Sequence, residues 1–165
     1  MVGEKTESMK TRVRRTIPMF LQSPKIFTLL GGTNDVIIVP PEKSLQNLLD
    51  MIEQMLEVPG AKVVLLTIPD HPSEKRIPKV RQRRMLVNKE LRRKFGEENQ
   101  YDGRVLLVDI AKYIPQYVIE SDDSPSNPHP IHLEMWDPDR LHFSPEGYDY
   151  IAEVIFNHLN TARWI

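Results

Sequence analysis

Residues 137–148, DPDRLHFSPEGY, crowd two aspartates, an arginine and a histidine into the stretch before a helix start. Asp139 and His142 are three residues apart, close enough in a loop or a first helical turn for the carboxylate to accept the imidazole Nδ1–H. An aspartate so placed orients the ring and stabilises the imidazolium that forms when the other nitrogen takes a proton, which makes the pair a candidate general base. A second candidate group lies far upstream. GGTND, 31–35, carries Asn34, whose neutral amide is a donor suited to a developing oxyanion, and Gly31 and Gly32, which let backbone approach a substrate closely. Both motifs also have ordinary readings. D-x-x-H strings occur in caps and on surfaces, and Gly-Gly-Thr-Asn-Asp is favourable turn sequence in its own right.

The elements that must position these groups alternate along the chain. Apolar runs at 25–30 (KIFTLL), 62–68 (KVVLLTI) and 104–110 (RVLLVDI) predict buried strands. Between and around them, 8–22 reads as a helix that Pro18 interrupts or ends, 43–57 as an amphipathic helix, 79–95 as a basic helix ending before Gly96, and 144–159 as a closing helix with Ser144 as N-cap and Pro145 at its first position. Continuous apolar strands alternating with helices predict a single three-layer α/β/α domain with a parallel, flavodoxin-like sheet over 1–165. In such a sheet, sites collect at the carboxyl ends of the strands. GGTND follows the first strand, PDHP (69–72) the second and DIAKYIP (109–115) the third. Gly32, Thr33, Asp70 and His71 are therefore expected to line one cleft. The proline-rich loop 120–138 is expected to border it, with Met135 and Trp136 offering apolar contact to substrate.

Composition excludes several classes of function. The 165 residues contain no cysteine, so disulfides, thiolate metal sites and cysteine nucleophiles are ruled out. A net charge of −1 exerts no global pull on nucleic acid or anionic membrane. No apolar run is long enough to span a bilayer. The first sixteen residues lack the apolar core of a signal peptide, which favours a cytoplasmic location. The basic run from Lys75 to Lys94 reads as a solvated helix face, and no nucleic-acid partner is expected. His129 and His132, with Asp137 nearby, sit in a proline-rich loop without visible supporting groups, so no metal is expected there. Tyr148 and Trp164 read as core or helix-packing residues. No G-x-G-x-x-G or P-loop string supports nucleotide binding.

GGTNDV and DRLHFSPEGYDYIAEVI together resemble the SGNH (GDSL-type) hydrolase superfamily, in which one block reads G-x-N-D and the last reads D-x-x-H before a Gly-Tyr helix. Gly32, Thr33, Asn34 and Asp35 match the first block; Asp139, His142, Gly147 and Tyr148 match the last. VGEKTESMKTR, 2–12, is similar to the family's glycine block, with Gly3 as the glycine donor. The resemblance implies a serine esterase acting on a small-molecule ester, with no metal or organic cofactor. It makes His142 the base, Asp139 its orienting acid, and Asn34 and Gly3 the oxyanion donors. The family's nucleophile is a serine in a G-D-S block after a first strand, upstream of the glycine block. No serine here follows an apolar strand in a Gly-Asp context.

The nucleophile is therefore not identified in this chain, and the sheet is expected to lack its first strand. Three explanations stand open: an N-terminally truncated form of an active esterase, which is the favoured one; a natural relative that has lost catalysis and serves as a binding module; or takeover by another hydroxyl, with Ser8 the nearest. The chain as given is expected to be inactive. Oligomeric state and acyl-chain preference are not legible at this stage.

Overall fold

A computed structural model of the chain describes residues 3–20, 26–97, 101–119, 125–128 and 133–165. Three strands, β1 (Ile26–Leu29), β2 (Lys62–Leu66) and β3 (Val105–Val108), form a parallel sheet in the order β1-β2-β3. Ile26 lies opposite Lys62, and Val63 opposite Val105. Successive residues of a strand point to opposite faces, and β2 divides accordingly. Val63 and Leu65 join one core, with α1 (Thr6–Thr16), α2 (Pro41–Leu56) and α3 (Pro78–Arg92) packed over it. Val64 and Leu66 join the other, with α5 (Pro145–Thr161) and the one-turn helix α4 (Ile110–Tyr113). The strands read as unbroken apolar runs because both faces are covered. The result is the expected three-layer α/β/α arrangement. No helix is long and apolar enough to cross a membrane among the described residues.

The helices keep their predicted order with shifted ends. α1 starts at Thr6 and regular helix stops at Thr16, where Ile17–Phe20 tighten into a 3-10 turn containing Pro18. α2 begins at Pro41, whose missing N–H costs nothing at a first helical position. It sinks Leu48, Met51, Ile52 and Met55 into the first core. α3 departs most from expectation. The basic run is not wholly a solvated face, because Arg84 and Asn88 are buried on its inner side. Asn88 donates to the Ile68 carbonyl and accepts from the Ile68 N–H, both at 2.8 Å, and so continues the hydrogen bonding of β2 past the end of the sheet. Beyond Arg92 the chain makes a π turn, Arg93–Glu97, that carries past Gly96.

The proline-rich region read as loop contains a small antiparallel pair, β4 (Tyr117–Ile119) with β5 (Pro125–Pro128). His129 and His132 lie outside the described residues. After a short 3-10 turn, Leu133–Met135, the chain enters the Asp139–His142 segment and then α5. Ser144 caps α5 as expected, its Oγ accepting the Gly147 N–H at 3.0 Å while donating to the Glu134 carbonyl at 2.6 Å. The same first turn presses on the incoming chain so closely that a Cβ at Gly147 would stand 2.1 Å from the Met135 carbonyl oxygen.

That contact sets two opposed effects at one residue. Alanine is the better helix former by about 1 kcal/mol, whereas overlap with a backbone oxygen forces the Leu133–Met135 turn to move, at about 1–3 kcal/mol or more. The clash wins because no rotamer relieves it. Gly147→Ala is expected to lower the urea unfolding midpoint; an unchanged or higher midpoint would show that the turn yields freely.

Candidate active site

The Asp139–His142 unit is closed by its own backbone. Trp136 and Phe143 form an isolated antiparallel bridge with ring centroids 4.5 Å apart. Between them, the Asp137 N–H donates to the His142 carbonyl at 3.0 Å and the Arg140 N–H to the Asp137 carbonyl at 2.9 Å. Arg140 takes a left-handed φ of 58° to complete the turn. Asp139 Oδ1 accepts the N–H groups of Leu141 and His142 at 2.8 and 3.0 Å, and Oδ2 accepts the His142 Nδ1–H at 2.6 Å. The His142 backbone N–H, then its ring, then the Leu141 N–H bring the Asp139 carboxyl down to about 2. An ionised carboxylate only accepts, so Nδ1, the ring nitrogen that faces it, carries a proton. Nε2 makes no hydrogen bond among the described residues.

His142 lines a cleft of about 370 Å³ whose other walls come from the opposite end of the chain: Gly3, Gly32, Thr33 and Asn34, with Pro69 and Tyr148. Gly3 has φ 77°, a conformation that favours glycine, and its N–H makes no hydrogen bond among the described residues. The Glu4 carbonyl accepts one N–H of the Asn34 amide at 3.0 Å, which fixes the amide plane and leaves the second N–H for a ligand. Glu4 is itself held by Arg12, through Nε at 3.2 Å and Nη2 at 2.8 Å.

Behind this wall sits Asp35, 1% exposed. It accepts the Thr6 N–H at 2.9 Å, the Thr6 hydroxyl at 2.5 Å and the Ser44 hydroxyl at 3.1 Å. Asn47 adds a bond to Thr6 Oγ1 at 2.9 Å. The start of α1, the Gly-Thr-Asn-Asp turn and α2 are thus tied to one carboxylate. Gly32 allows the close packing beneath them: with φ 101°, a Cβ there would lie 2.6 Å from Ile68 Cδ1.

Three expected pocket residues are placed elsewhere. Asp70 is buried against Arg84, Oδ1 to Nη2 at 2.6 Å, and its Oδ2 accepts the Gln116 N–H at 2.7 Å. His71 caps the 3-10 turn Pro72–Lys75, its Nδ1 accepting the Ser73 N–H at 3.1 Å. Burial, helped by Arg84, lowers the His71 pKa and keeps the ring neutral. Only Pro69 of PDHP reaches the cleft. Trp136 and Met135 pack into the second core and are not among the residues that line the cleft. Tyr148, read as a packing residue, is 56% exposed and lines the cleft. Arg12 and Glu4 also line it and were not singled out, although Glu4 belongs to the G-E-x-T string. No described serine lines this cleft. Ser8 is exposed on α1, Ser44 is bound to Asp35, and Ser144 is the cap of α5; Ser23, Ser121 and Ser124 lie outside the described residues.

Removing the Asp35 carboxylate strands the Thr6 N–H and hydroxyl and leaves the Ser44 hydroxyl only a long bond, 3.4 Å, to the Pro40 carbonyl. At about 1–3 kcal/mol for each buried unsatisfied group, Asp35→Ala is expected to lose about 3 kcal/mol of stability, read by chemical denaturation. A loss under about 0.5 kcal/mol, the size of an ordinary surface substitution, would contradict this role. Asp139 has a different signature. Its folded pKa lies below the unfolded value, so its contribution to stability is complete above the usual carboxylate range and disappears as pH falls toward about 2. A carbon-detected NMR titration should place it near that value. His142→Ala should raise it part of the way toward about 3.9, because two backbone N–H donors remain.

The family model for the GDSL-like lipase/acylhydrolase family matches residues 2–150. A GDSL-like lipase from Bacteroides thetaiotaomicron shares the fold with a TM-score of 0.72 at 18% identity, covering 97% of this chain and 73% of that one. A protein from Bacteroides fragilis assigned as an acylhydrolase gives 0.70 at 21% identity, over 96% and 71% of the two chains. At these identities the structural likeness speaks to the fold, and the family match to membership. No curated protein matches the chain. With the family's two blocks facing each other across one cleft, the chain belongs to the GDSL-like lipase/acylhydrolase family.

Proposed function

We propose that this chain supplies the general base, its orienting acid and two oxyanion donors of a serine-esterase site, and that the nucleophilic serine comes from a segment outside these 165 residues. One observation carries the reading: Gly3, Asn34 and His142, remote in sequence, line a single cleft. The family implies ester substrates; the serine mechanism is our reading of the residues. In it the serine Oγ attacks the ester carbonyl carbon as His142 Nε2 takes the Oγ proton. Asp139 holds the ring through Nδ1 and stabilises the imidazolium. The tetrahedral oxyanion accepts the Gly3 N–H, the free N–H of Asn34 and the serine's own N–H. Collapse breaks the bond to the alkoxide, which leaves with the proton from Nε2. Water then repeats the cycle on the acyl-enzyme, releasing the acid and the free serine. No step calls on a metal or an organic cofactor.

Two features support a nucleophile from outside. Nε2 has no hydroxyl within hydrogen-bonding distance among the described residues. The outer edge of β1 has no strand partner there either, and Thr28 on that strand is exposed. An unpaired parallel edge at the first strand of the site is where a further strand would dock and aim a serine. The competing reading is a binding module that uses the same cleft without turnover, and activity separates the two.

The 165-residue chain should turn over p-nitrophenyl acetate at no more than a slow residual rate, unchanged by Ser8→Ala. A form extended upstream to include a Gly-Asp-Ser strand should be active. His142→Ala in it should lower kcat by about ten-thousand-fold, and Asn34→Ala by about a hundredfold. Full activity in the His142→Ala variant would remove the base assignment. Stoichiometric fluorophosphonate labelling of a serine in the shorter chain would show that the nucleophile lies within it after all.

A further inference from the structure

Asp139 and His142 belong to the turn beside the catalytic cleft, but the residue after Asp139, Arg140, lines a different cavity of about 440 Å³. Ser73, Lys75, Arg76, Gln116 and Tyr117 form most of the rest of its wall. Lys75, Arg76 and Arg140 make no ion pair among the described residues, whereas Lys10, Arg12 and Arg92 on α1 and α3 each hold a carboxylate. Three like charges around one concavity repel each other unless something negative joins them.

The neutral groups of the wall are also donors. The Ser73 hydroxyl and the Tyr117 phenol make no hydrogen bond among the described residues. Burial first, then the nearby Asp70 and Glu74 carboxylates, raise the Tyr117 pKa, so the phenol keeps its proton. Those two carboxylates are themselves occupied by Arg84, with Nη2 to Asp70 at 2.6 Å and Nε to Glu74 at 2.5 Å. Arg140 spends one guanidinium N–H on the Leu133 carbonyl at 3.3 Å and has others left. Gln116, 2% exposed, braces the wall. Its Nε2 donates to the Arg140 carbonyl at 2.5 Å and its backbone N–H to Asp70 Oδ2 at 2.7 Å. Gln116 Oε1 is the one buried acceptor here without a partner, and a ligand hydroxyl would satisfy it.

We infer that this cavity binds an oxyanion, the phosphate or carboxylate group of a small molecule, through Lys75, Arg76 and Arg140 with Ser73 and Tyr117 as neutral donors. A guanidinium can pair bidentately with two oxygens of either group. The site does not depend on the esterase reading. Where that reading holds, the cavity adjoins the histidine turn through Arg140 and favours esters that carry an acidic group.

The test is a heteronuclear NMR titration of the chain with inorganic phosphate and, separately, with citrate, at constant ionic strength set by chloride. Saturable shifts at Ser73, Tyr117 and Arg140 are expected with at least one of the two ions. Response to phosphate alone identifies a phosphoryl site, response to citrate alone a carboxylate site, and either outcome supports the inference. Arg140→Gln should weaken binding about tenfold, and so should the exposed double variant Lys75→Gln/Arg76→Gln, which keeps the test valid if Arg140→Gln fails to fold. Arg14→Gln, which removes an equal charge from the far side of α1, should leave affinity unchanged. The inference fails if neither ion saturates, or if Arg14→Gln weakens binding as much as Arg140→Gln does.

Discussion

The Asp35 carboxylate is the constraint on which the cleft wall opposite His142 depends. An ionised group 1% exposed is costly unless its lone pairs are taken up, and here three donors from two other segments take them up. The arrangement leaves little room for alternatives. If α1 slid along α2 by one turn, Thr6 would leave the carboxylate and two donors would be buried without partners. The Glu4 carbonyl that orients Asn34 lies two residues before Thr6, so the position of the amide follows from the position of Thr6. Gly3, one residue further out, inherits the same anchoring. A polar cluster behind the cleft thus sets the positions of both Gly3 and Asn34 in its wall.

The two halves of the site are built on different principles. The histidine half is local: Asp139 bonds only to residues 141 and 142, and the turn is closed by Trp136 against Phe143 and by the cap of α5 at Ser144. The half that carries Gly3 and Asn34 is non-local: Thr6 to Asp35 spans 29 residues and Asn47 to Thr6 spans 41. Local bonds form with little loss of chain entropy, whereas non-local ones need the whole layer of α1 and α2 to be in place. Partial loss of structure should therefore displace Gly3 and Asn34 before His142.

This difference also governs what could be read from the sequence. The strands were legible because two covered faces demand unbroken apolar runs, and Ser144-Pro145 announced α5 because capping is written in adjacent residues. The Asp139–His142 bond was legible for the same reason. Asp70 and His71 were misplaced because a strand-end position does not say which way a side chain turns; the answer depended on Arg84, fourteen residues on and inside a run that reads as a solvated basic face. Trp136 was misplaced because a tryptophan in a proline-rich loop reads as exposed, while its partner Phe143 sits across a turn that sequence does not display. Tyr148 failed in the opposite sense: an aromatic in an amphipathic helix reads as core, yet the first turn of α5 points it toward the cleft.

The buried Asp70–Arg84–Glu74 group shows why strand-end charges need not mark a catalytic centre. Desolvation raises the Glu74 pKa in spite of its bonds to Arg84. Its arginine bridges two carboxylates from the segment after β2, and Gln116 binds one of them from the segment after α4. The cluster therefore fastens the loops that follow β2 and β3 to α3. Gln116 then passes that position on to the Arg140 carbonyl, within the histidine turn. The His142 turn is thus braced from outside its own loop by Gln116 and the network behind it. That accounts for Asp70 and Glu74 sitting near the cleft without lining it, whereas His142 and Tyr148 do line it.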